Sequence, residues 1–268
     1  SVIYTFYGSL VSDAGDVDGD GFDDVMVGTP REAIVRIFSG VNGKVIHTLR
    51  GIRYSLFGSS ASAVGDINND GFDDVIVGAP YYSSSRGRVR IFSGKNGMVL
   101  HTFIGESSRG YFGFSVGGVG DINGDDVNDV VVGTRSDGSA HVFSGSDGAT
   151  LHTFYGDLSA GFGSSVSGVG DVNGDGFGDI VVGAPADFGG STYVYSGANG
   201  DIIYSVSGSK NLGYSVSGLG DIDNDGYADI IVGNLNNSIA RVISSNGDWD
   251  NDGVGTLNDA YPLDPTRQ

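Results

Sequence analysis

The chain has 268 residues, of which 39% are hydrophobic, enough to bury a substantial core in a single domain. Its formal net charge is -19, with 33 acidic against 14 basic residues. This acidity argues against nucleic acid or an anionic membrane as a binding partner, because both are bound by basic surfaces. Direct membrane insertion is not expected either. No apolar stretch is long enough to span a bilayer, and without cysteine no disulfide framework can form.

The first element is predicted at residues 2–6, where β-favouring residues alternate as in a strand. Four later segments have the same character, at residues 45–49, 99–103, 150–154 and 202–206. Because each of those segments ends a repeat, we expect residues 1–7 to be the fourth strand of a sheet whose first three strands lie elsewhere in the chain.

Five copies of an aspartate-rich loop follow, each with the nine-residue spacing D-x-(D/N)-x-D-(G/D)-x-x-D. The first aspartate of each copy stands at position 16, 66, 121, 171 or 221, so successive copies lie 50 or 55 residues apart. An apolar strand follows every loop. Self-similarity at such a period predicts a repeat architecture.

Each repeat is predicted to contain four strands, which the second repeat places at residues 60–64, 74–77, 88–92 and 98–103. Its second strand is apolar on both faces, as expected between two neighbouring sheets, whereas its third alternates. A tight hairpin turn is predicted between the third and fourth strands. The turn dipeptides are Asn42-Gly43, Asn96-Gly97, Asp147-Gly148, Asn199-Gly200 and Asn246-Gly247.

The aspartate-rich loops have the donor chemistry of calcium sites. Calcium takes six to eight oxygen ligands, and a short loop can supply them from alternate side chains and one backbone carbonyl. Ordinary Asp/Gly turns are the alternative, but five copies with fixed offsets disfavour it. The predicted ligands, with the seventh position acting through its carbonyl, are Asp16, Asp18, Asp20, Phe22 and Asp24; Asp66, Asn68, Asp70, Phe72 and Asp74; Asp121, Asn123, Asp125, Val127 and Asp129; Asp171, Asn173, Asp175, Phe177 and Asp179; and Asp221, Asp223, Asp225, Tyr227 and Asp229.

The third loop is predicted to bind calcium most weakly, because Asp126 stands where the other loops have the glycine that suits a tight turn. Most of the acidity belongs to the loops. Their ligand positions hold four, three, three, three and four aspartates, and a candidate loop in the tail holds four more, so 21 of the 33 acidic residues lie at candidate metal sites.

Short motifs flank two of the loops. Phe57-Gly58 precedes the second loop and Gly78-Ala79-Pro80 follows it, while Phe162-Gly163 and Gly183-Ala184-Pro185 flank the fourth. In these motifs the chain resembles the FG-GAP repeats of integrin α-subunit β-propellers, over nearly all of its length up to residue 247. The resemblance implies an all-β propeller of four-stranded blades, with a calcium loop in each. The chain departs from the pattern at Gly28-Thr29-Pro30, Gly133-Thr134-Arg135 and Gly233-Asn234-Leu235, and by lacking Phe-Gly in the first copy.

The fifth repeat lacks a fourth strand. Strands are predicted at residues 214–219, 229–232 and 239–243, and the chain then leaves the repeat pattern. We expect residues 1–7 to supply the missing strand and so to close a five-bladed propeller over residues 1–247, since closure removes exposed sheet edges. The alternative is part of a seven-bladed ring, the number of blades in integrin-type propellers.

Residues 248–268 form a separate acidic tail with the spacing of an EF-hand-like loop. The tail resembles the calcium-bound linker repeats between domains of large bacterial surface proteins, and a disordered acidic tail is the alternative. Its predicted ligands are Asp248, Asp250, Asp252, Val254 and Asp259. About five calcium ions are therefore expected in the propeller and one in the tail, leaving a net charge of about -7.

Recurring histidines and arginines are expected to be structural. His47, His101 and His152 share one place in the fourth strand, and a set in the third strand, Arg36, Arg90, His141, Tyr193 and Arg241, is expected to be solvated or to lie between blades. No catalytic constellation is evident, so we expect no enzyme activity.

The loops on the face opposite the calcium loops are rich in aromatic residues and arginine, which are frequent anchors of binding surfaces. The candidate ligand residues are Arg53, Tyr54, Tyr81, Tyr82, Arg86, Arg109, Tyr111 and Phe188. We expect a secreted or cell-surface module, excised from a longer protein, that binds an extracellular protein or glycan. The alternatives are a lectin, a subunit that self-assembles through its N-terminal strand, and an enzyme like the propeller polysaccharide lyases.

Overall fold

The computed structural model describes residues 3–187, 189–208 and 210–245, which form five antiparallel sheets. The first four sheets have four strands each and the fifth has three. The strands are β1 (Leu10–Gly15), β2 (Asp24–Thr29), β3 (Ile34–Phe38) and β4 (Val45–Arg50); β5 (Ser60–Gly65), β6 (Asp74–Ala79), β7 (Arg88–Phe92) and β8 (Val99–Ile104); β9 (Ser115–Gly120), β10 (Asp129–Gly133), β11 (Ser139–Phe143) and β12 (Thr150–Tyr155); β13 (Ser165–Gly170), β14 (Asp179–Ala184), β15 (Ser191–Tyr195) and β16 (Ile202–Ser207); and β17 (Leu212–Gly220), β18 (Asp229–Asn234) and β19 (Ile239–Ile243).

Each sheet is one repeat, and its strands pair in chain order. The first strands of successive sheets pack on one another, β1 on β5, β5 on β9, β9 on β13 and β13 on β17. The fold is therefore the blade arrangement of a β-propeller, with the first strands innermost and the fourth strands at the outside. This confirms the predicted all-β class and the four-stranded blade.

The core is divided among the interfaces between successive blades. Between the first and second blades, for example, Met26 and Val35 of one pack with Phe57 and Val75 of the next. The second strands are buried on both faces. In β6, for example, all six residues are buried, as the continuous apolar run of this strand predicts. In β7, the third strand of the second blade, the burial pattern alternates, which confirms the prediction for that repeat.

The opening segment differs from its prediction. Residues 3–8 form no strand, and within the described residues β19 pairs with β18 alone. The segment instead lies against the first blade, where the Phe6 ring stacks on Phe38 with centroids 4.2 Å apart and the Tyr4 hydroxyl donates to the Val41 carbonyl at 2.7 Å. Phe103 stacks on Phe143 of the following blade in the same way. Residues 3–8 thus pack on the first blade as a fourth strand packs on the following blade, but they do not pair with β19 as predicted.

The two ends of the blade series present apolar residues to solvent. Val11 of β1 is 70% exposed and Tyr214 of β17 is 54% exposed.

In the described ranges no helix has the length and apolar character needed to cross a bilayer.

Candidate calcium loops and the opposite rim

The first aspartate organises the backbone of every loop. In the second loop the carboxylate of Asp66 accepts the backbone N–H groups of Asp70 and Gly71 at 3.0 and 2.7 Å. The equivalent first aspartates, Asp16, Asp121, Asp171 and Asp221, accept the same two N–H groups of their own loops. The five loops therefore share one backbone conformation around the first aspartate.

The ninth aspartate joins the loop to the hairpin of the same blade. Asp74 is completely buried, and its two oxygens accept the N–H groups of Ile67 at 3.0 Å and Gly94 at 2.9 Å. Asp24, Asp129 and Asp179 make the same pair of bonds in their blades. The candidate calcium loops and the hairpin turns consequently lie on one face of the blades, which we call the metal rim.

Burial makes these carboxylates hard to ionise. It raises the pKa of Asp74 and Asp129 to about 6 and that of Asp179 to about 7, and the neighbouring loop aspartates raise them further, while the backbone hydrogen bonds act in the opposite direction. Burial likewise raises the pKa of Asp24. A cation placed among these groups would favour their ionised form.

The oxygens converge as a hard-cation site requires. Carboxylate oxygens of Asp16, Asp18 and Asp24 lie within 4.8 Å of one another, as do those of the three acidic residues at the start of the fifth loop, Asp221, Asp223 and Asp225. In the second loop the Oδ1 atom of Asp70 is buried without a hydrogen-bond partner. A donor set made only of oxygen, with one buried oxygen unpaired, fits calcium.

Asparagine occupies the third position in the middle loops. The amide nitrogens of Asn123 and Asn173 lie 3.2 and 2.9 Å from the carboxylates of Asp125 and Asp175. In the second loop the amide nitrogen of Asn68 faces the last aspartate. To ligate a cation, each amide would have to present its oxygen to that space.

The third loop contains the expected local strain. Asp126 has a φ of 63°, in the left-handed region, where the other loops place glycines with φ between 86° and 95°. Its N–H still reaches the first aspartate, at 2.8 Å. The loop therefore keeps its shape at the expense of a conformation that a side chain disfavours.

Two features of the metal rim were missed at the sequence level. A hairpin serine donates to the fifth-position aspartate, as Ser196 does to Asp175 at 3.2 Å, and a serine at the start of this turn in every repeat was the available signal. In the third repeat Ser146, two residues further on, donates to Asp125 at 2.6 Å instead. Adjacent loops are also joined. Asp73 donates its N–H to the Asp16 carbonyl at 3.0 Å and accepts the Asp16 N–H at 2.9 Å, and between the fourth and fifth blades Ala228 donates to Asp171.

The opposite face, which we call the ligand rim, consists of the loops from second to third strands and from fourth to first strands. It brings two predicted residues together, since the rings of Tyr81 and Tyr111 meet edge to face with centroids 5.1 Å apart. Tyr54 is 84% exposed, and Arg53 and Arg109 are exposed as well.

Two other predicted ligand residues are engaged within the protein. Arg88 stacks over the half-buried Tyr82 ring at 4.1 Å, and the Nε of Arg86 donates to the Gly105 carbonyl at 3.0 Å. Phe188 and the tail ligands Asp248, Asp250, Asp252, Val254 and Asp259 lie outside the described residues.

Backbone strain is concentrated on the ligand rim. Tyr54, Arg109 and Tyr111 all have positive φ, as do Ser83, Ser84 and Ser85 in the turn at Tyr82–Ser85. Non-glycine residues are held in this region only where surrounding contacts enforce it, and such residues are enriched at binding sites.

The recurring histidines connect blades, in agreement with a structural role. The Nε2 atoms of His47 and His152 contact the carbonyls of Gly94 and Gly197, each in the hairpin of the following blade. His101 lies beside the hairpin glycine Gly148, as His47 and His152 lie beside the equivalent Gly97 and Gly200. Arg90 of the third-strand set also bridges two blades, because its Nη2 donates to the Arg50 carbonyl at 3.0 Å.

A comparison with protein-family models finds the FG-GAP repeat in three segments, residues 11–46, 57–92 and 162–202. They correspond to the first, second and fourth blades. The second and third matches begin at Phe57-Gly58 and Phe162-Gly163, the motifs singled out from the sequence. The chain thus contains FG-GAP repeats, and the third and fifth blades lie outside the matched segments.

Proposed function

We propose that the chain is a calcium-stabilised recognition module of a larger extracellular or cell-surface protein, and that it binds its partner through the ligand rim. The observation that carries the proposal is the set of buried ninth-position aspartates, each beside other carboxylates of its loop. Such a cluster is unfavourable when ionised unless a cation is present. Extracellular calcium modules typically bind the ion at about 10⁻⁴–10⁻³ M.

In this proposal the ions are structural. Positions one, three, five and nine of each loop supply side-chain oxygens, and position seven supplies its carbonyl. The bound ion contributes positive charge where the loop meets the hairpin through the last aspartate. Calcium would therefore hold the metal rim in shape and, through the strands, the loops of the ligand rim.

The ligand rim is the proposed binding surface. Tyr81, which is exposed, and Tyr111, which is half-buried, form an aromatic pair between the second and third blades. Arg109, also exposed, lies two residues before Tyr111 in the chain. Tyrosine and arginine are enriched among residues that dominate binding energy, and a preformed loop conformation lowers the entropy lost on binding. An extracellular protein or a glycan is the proposed ligand.

The binding proposal is tested with a panel of extracellular matrix proteins and a glycan array, probed in calcium. We expect binding that Tyr81→Ala with Tyr111→Ala weakens at least about tenfold. Met98→Ala is the matched control, because Met98 is exposed on the metal rim. Equal losses in both variants, or a bound partner insensitive to either, would refute the rim assignment; selective glycan binding would identify a lectin.

We also propose that the module acts without catalysis. Incubation with acidic polysaccharides, followed by the absorbance of unsaturated products, tests this directly. Product formation that scales with protein concentration would place the chain among the lyases instead.

Self-assembly is a second candidate function, favoured by the sheet edge at β19. Ile239 and Val242 of this strand are 48% and 53% exposed. Residues 3–8 of another copy, which have fourth-strand character, would pair with this edge head to tail. Light scattering should show oligomers for the full chain and monomers after removal of residues 1–7; a monomeric full chain at high concentration rejects the idea.

A further inference from the structure

A cleft of about 570 Å³ lies between the outer parts of the second and third blades. It is lined by the end of β8 and by residues of β11 and β12. Its size falls within the range of about 300–1,000 Å³ that is usual for small-ligand sites. We call it the interblade cleft.

The preceding interface shows what normally fills this place. Between the first and second blades the guanidinium of Arg90 lies 5.0 Å from the ring centroid of Phe57 and 4.9 Å from that of Phe92. Its Nη2 atom donates to the carbonyl of Arg50, as described above. The chain thus inserts its own arginine over a pair of phenyl rings.

The interblade cleft keeps the rings but lacks the arginine. Phe112 and Phe143 stand at the positions of Phe57 and Phe92, and the two ring pairs have nearly the same geometry, with centroids 6.1 and 5.9 Å apart and interplanar angles of 81° and 73°. His141 replaces the arginine.

The imidazole of His141 stays close to its own sheet. It contacts Ser139 Oγ at 3.0 Å and Thr153 Oγ1 at 3.3 Å. The imidazole packs against both rings, with its centroid 5.7 Å from that of Phe112 and 6.1 Å from that of Phe143. Because histidine is shorter than arginine, it does not extend toward the Ile104 carbonyl as Arg90 extends to that of Arg50, and Ile104 instead lines the cleft. The cleft therefore has the place of the outer end of an arginine side chain, with the imidazole at its base.

The charges around the cleft favour a cation. Glu106 and Asp137 line it, and no lysine or arginine is among its lining residues, all of which are described. Both carboxylates act on the His141 imidazole, where they oppose the lowering of its pKa by burial. Ile52 stands at the position of Glu106 in the preceding repeat, so the interface that already contains an arginine lacks this acid.

We propose that the interblade cleft binds a guanidinium group, presented as an arginine side chain by a partner protein. The planar cation would lie beside the aromatic rings that line the cleft and pair with the carboxylates of Glu106 and Asp137. The Ile104 carbonyl, equivalent to that of Arg50, is its neutral acceptor. The inference goes beyond the recognition function above, because it concerns different residues and a free arginine derivative suffices to test it.

The test is calorimetric titration of the calcium-loaded full chain with N-acetyl-L-arginine amide. A fragment of this size is expected to bind with a dissociation constant of about 1 mM. N-acetyl-L-citrulline amide is the matched control ligand, since it has nearly the same shape without the charge, and it should bind at least about tenfold more weakly.

Variants place the binding in the cleft. His141→Arg restores the internal arginine and should abolish binding while leaving the thermal midpoint intact. Asp137→Asn should weaken binding about threefold to tenfold, and Asp201→Asn, at an exposed aspartate of a metal-rim hairpin, should leave it unchanged. If His141→Arg does not fold, Asp137→Asn tests the proposal by itself.

Three results would overturn the inference: equal affinity for the arginine and citrulline derivatives, full affinity in Asp137→Asn, or a cleft that takes a neutral sugar and no guanidinium. Arginine binding in a chain whose ligand rim binds no partner would support this inference and reject the rim assignment. Rim binding without arginine binding would do the reverse.

Discussion

Removing calcium should make the protein lose stability as the pH rises, the opposite of ordinary acid denaturation. The perturbation is chelation, and the groups responsible are the buried ninth-position aspartates. A carboxyl whose pKa is higher in the folded protein than in the unfolded chain binds more protons when folded. Its stabilising contribution is complete below the unfolded pKa of 3.8 and is lost as the pH rises through the folded value, about 6 for Asp74 and Asp129 and about 7 for Asp179.

The size of the effect follows from these values. A pKa raised from 3.8 to about 6, as for Asp74, corresponds to about 3 kcal/mol of unfolding free energy for one loop. Domain stabilities are about 5–15 kcal/mol in total, so even a single loop should produce a measurable change. Calcium should act in the opposite sense, because it binds the ionised carboxylates and competes with protons below the folded pKa.

The assay is urea unfolding between pH 4 and 8, a range that spans the unfolded and folded pKa values, with either chelator or calcium present. We expect the unfolding free energy in chelator to fall with pH, and the gap between the calcium and chelator curves to widen. High salt separates this from general repulsion among the surface acids, since it screens exposed charges and affects buried ones much less. Metal-free stability that rises from pH 5 to 8, or no calcium effect at pH 8, would refute the reasoning.

Three further outcomes can be checked by substitution. Asp126→Gly should stabilise the third loop by about 1 kcal/mol and tighten its calcium binding by relieving the left-handed φ; unchanged affinity in a calcium titration would contradict this. Phe57→Ala should cost about 3–5 kcal/mol in urea unfolding, since the ring is fully buried and also supports Arg90; a cost near zero would mean that the site collapses. Deleting residues 1–7 removes the Phe6 ring from Phe38 and should lower the unfolding free energy by about 1–3 kcal/mol, whereas unaltered stability would show that this contact contributes nothing.

The repeat pattern predicted the blades well because each blade is specified by local sequence. Strand ends fall within about two residues of expectation, and β7 and β19 agree to the residue. The continuous apolar run predicts a buried second strand, and the fixed aspartate spacing predicts the loop before it. Because both patterns recur in five copies, each copy supports the prediction for the others.

The pairing of the opening segment could not be predicted with the same security. Its similarity to the other fourth strands identifies the place of Tyr4 and Phe6 within a blade, and their packing on the first blade agrees with that place. It does not specify the sheet with which the segment forms hydrogen bonds, since that depends on how the ends of the array meet. Similarity within a repeat fixes local roles and leaves the long-range partner open.

The interblade cleft was also beyond the reach of the sequence alone. His141 was recognised as a member of a recurring set. The sequence does not show which residues pack around it, so the consequence of its smaller size could not be predicted. The structure supplies the two rings and the comparison with Arg90, which show how much shorter the histidine is than the arginine of the preceding interface. Departures from a repeat become informative once the neighbouring blade is known.

The hydrogen bonds between adjacent loops affect how the blades would separate under force. Asp16 and Asp73 fasten the first loop to the second by two hydrogen bonds, and Asp171 and Ala228 join the fourth loop to the fifth. Interiors shared only between nearest neighbours behave as a chain of coupled units, in which each unit is supported from both sides except at the ends. A tensile load would consequently peel the assembly from a terminus, one sheet after another, and dissolved calcium would set how firmly every successive link resists.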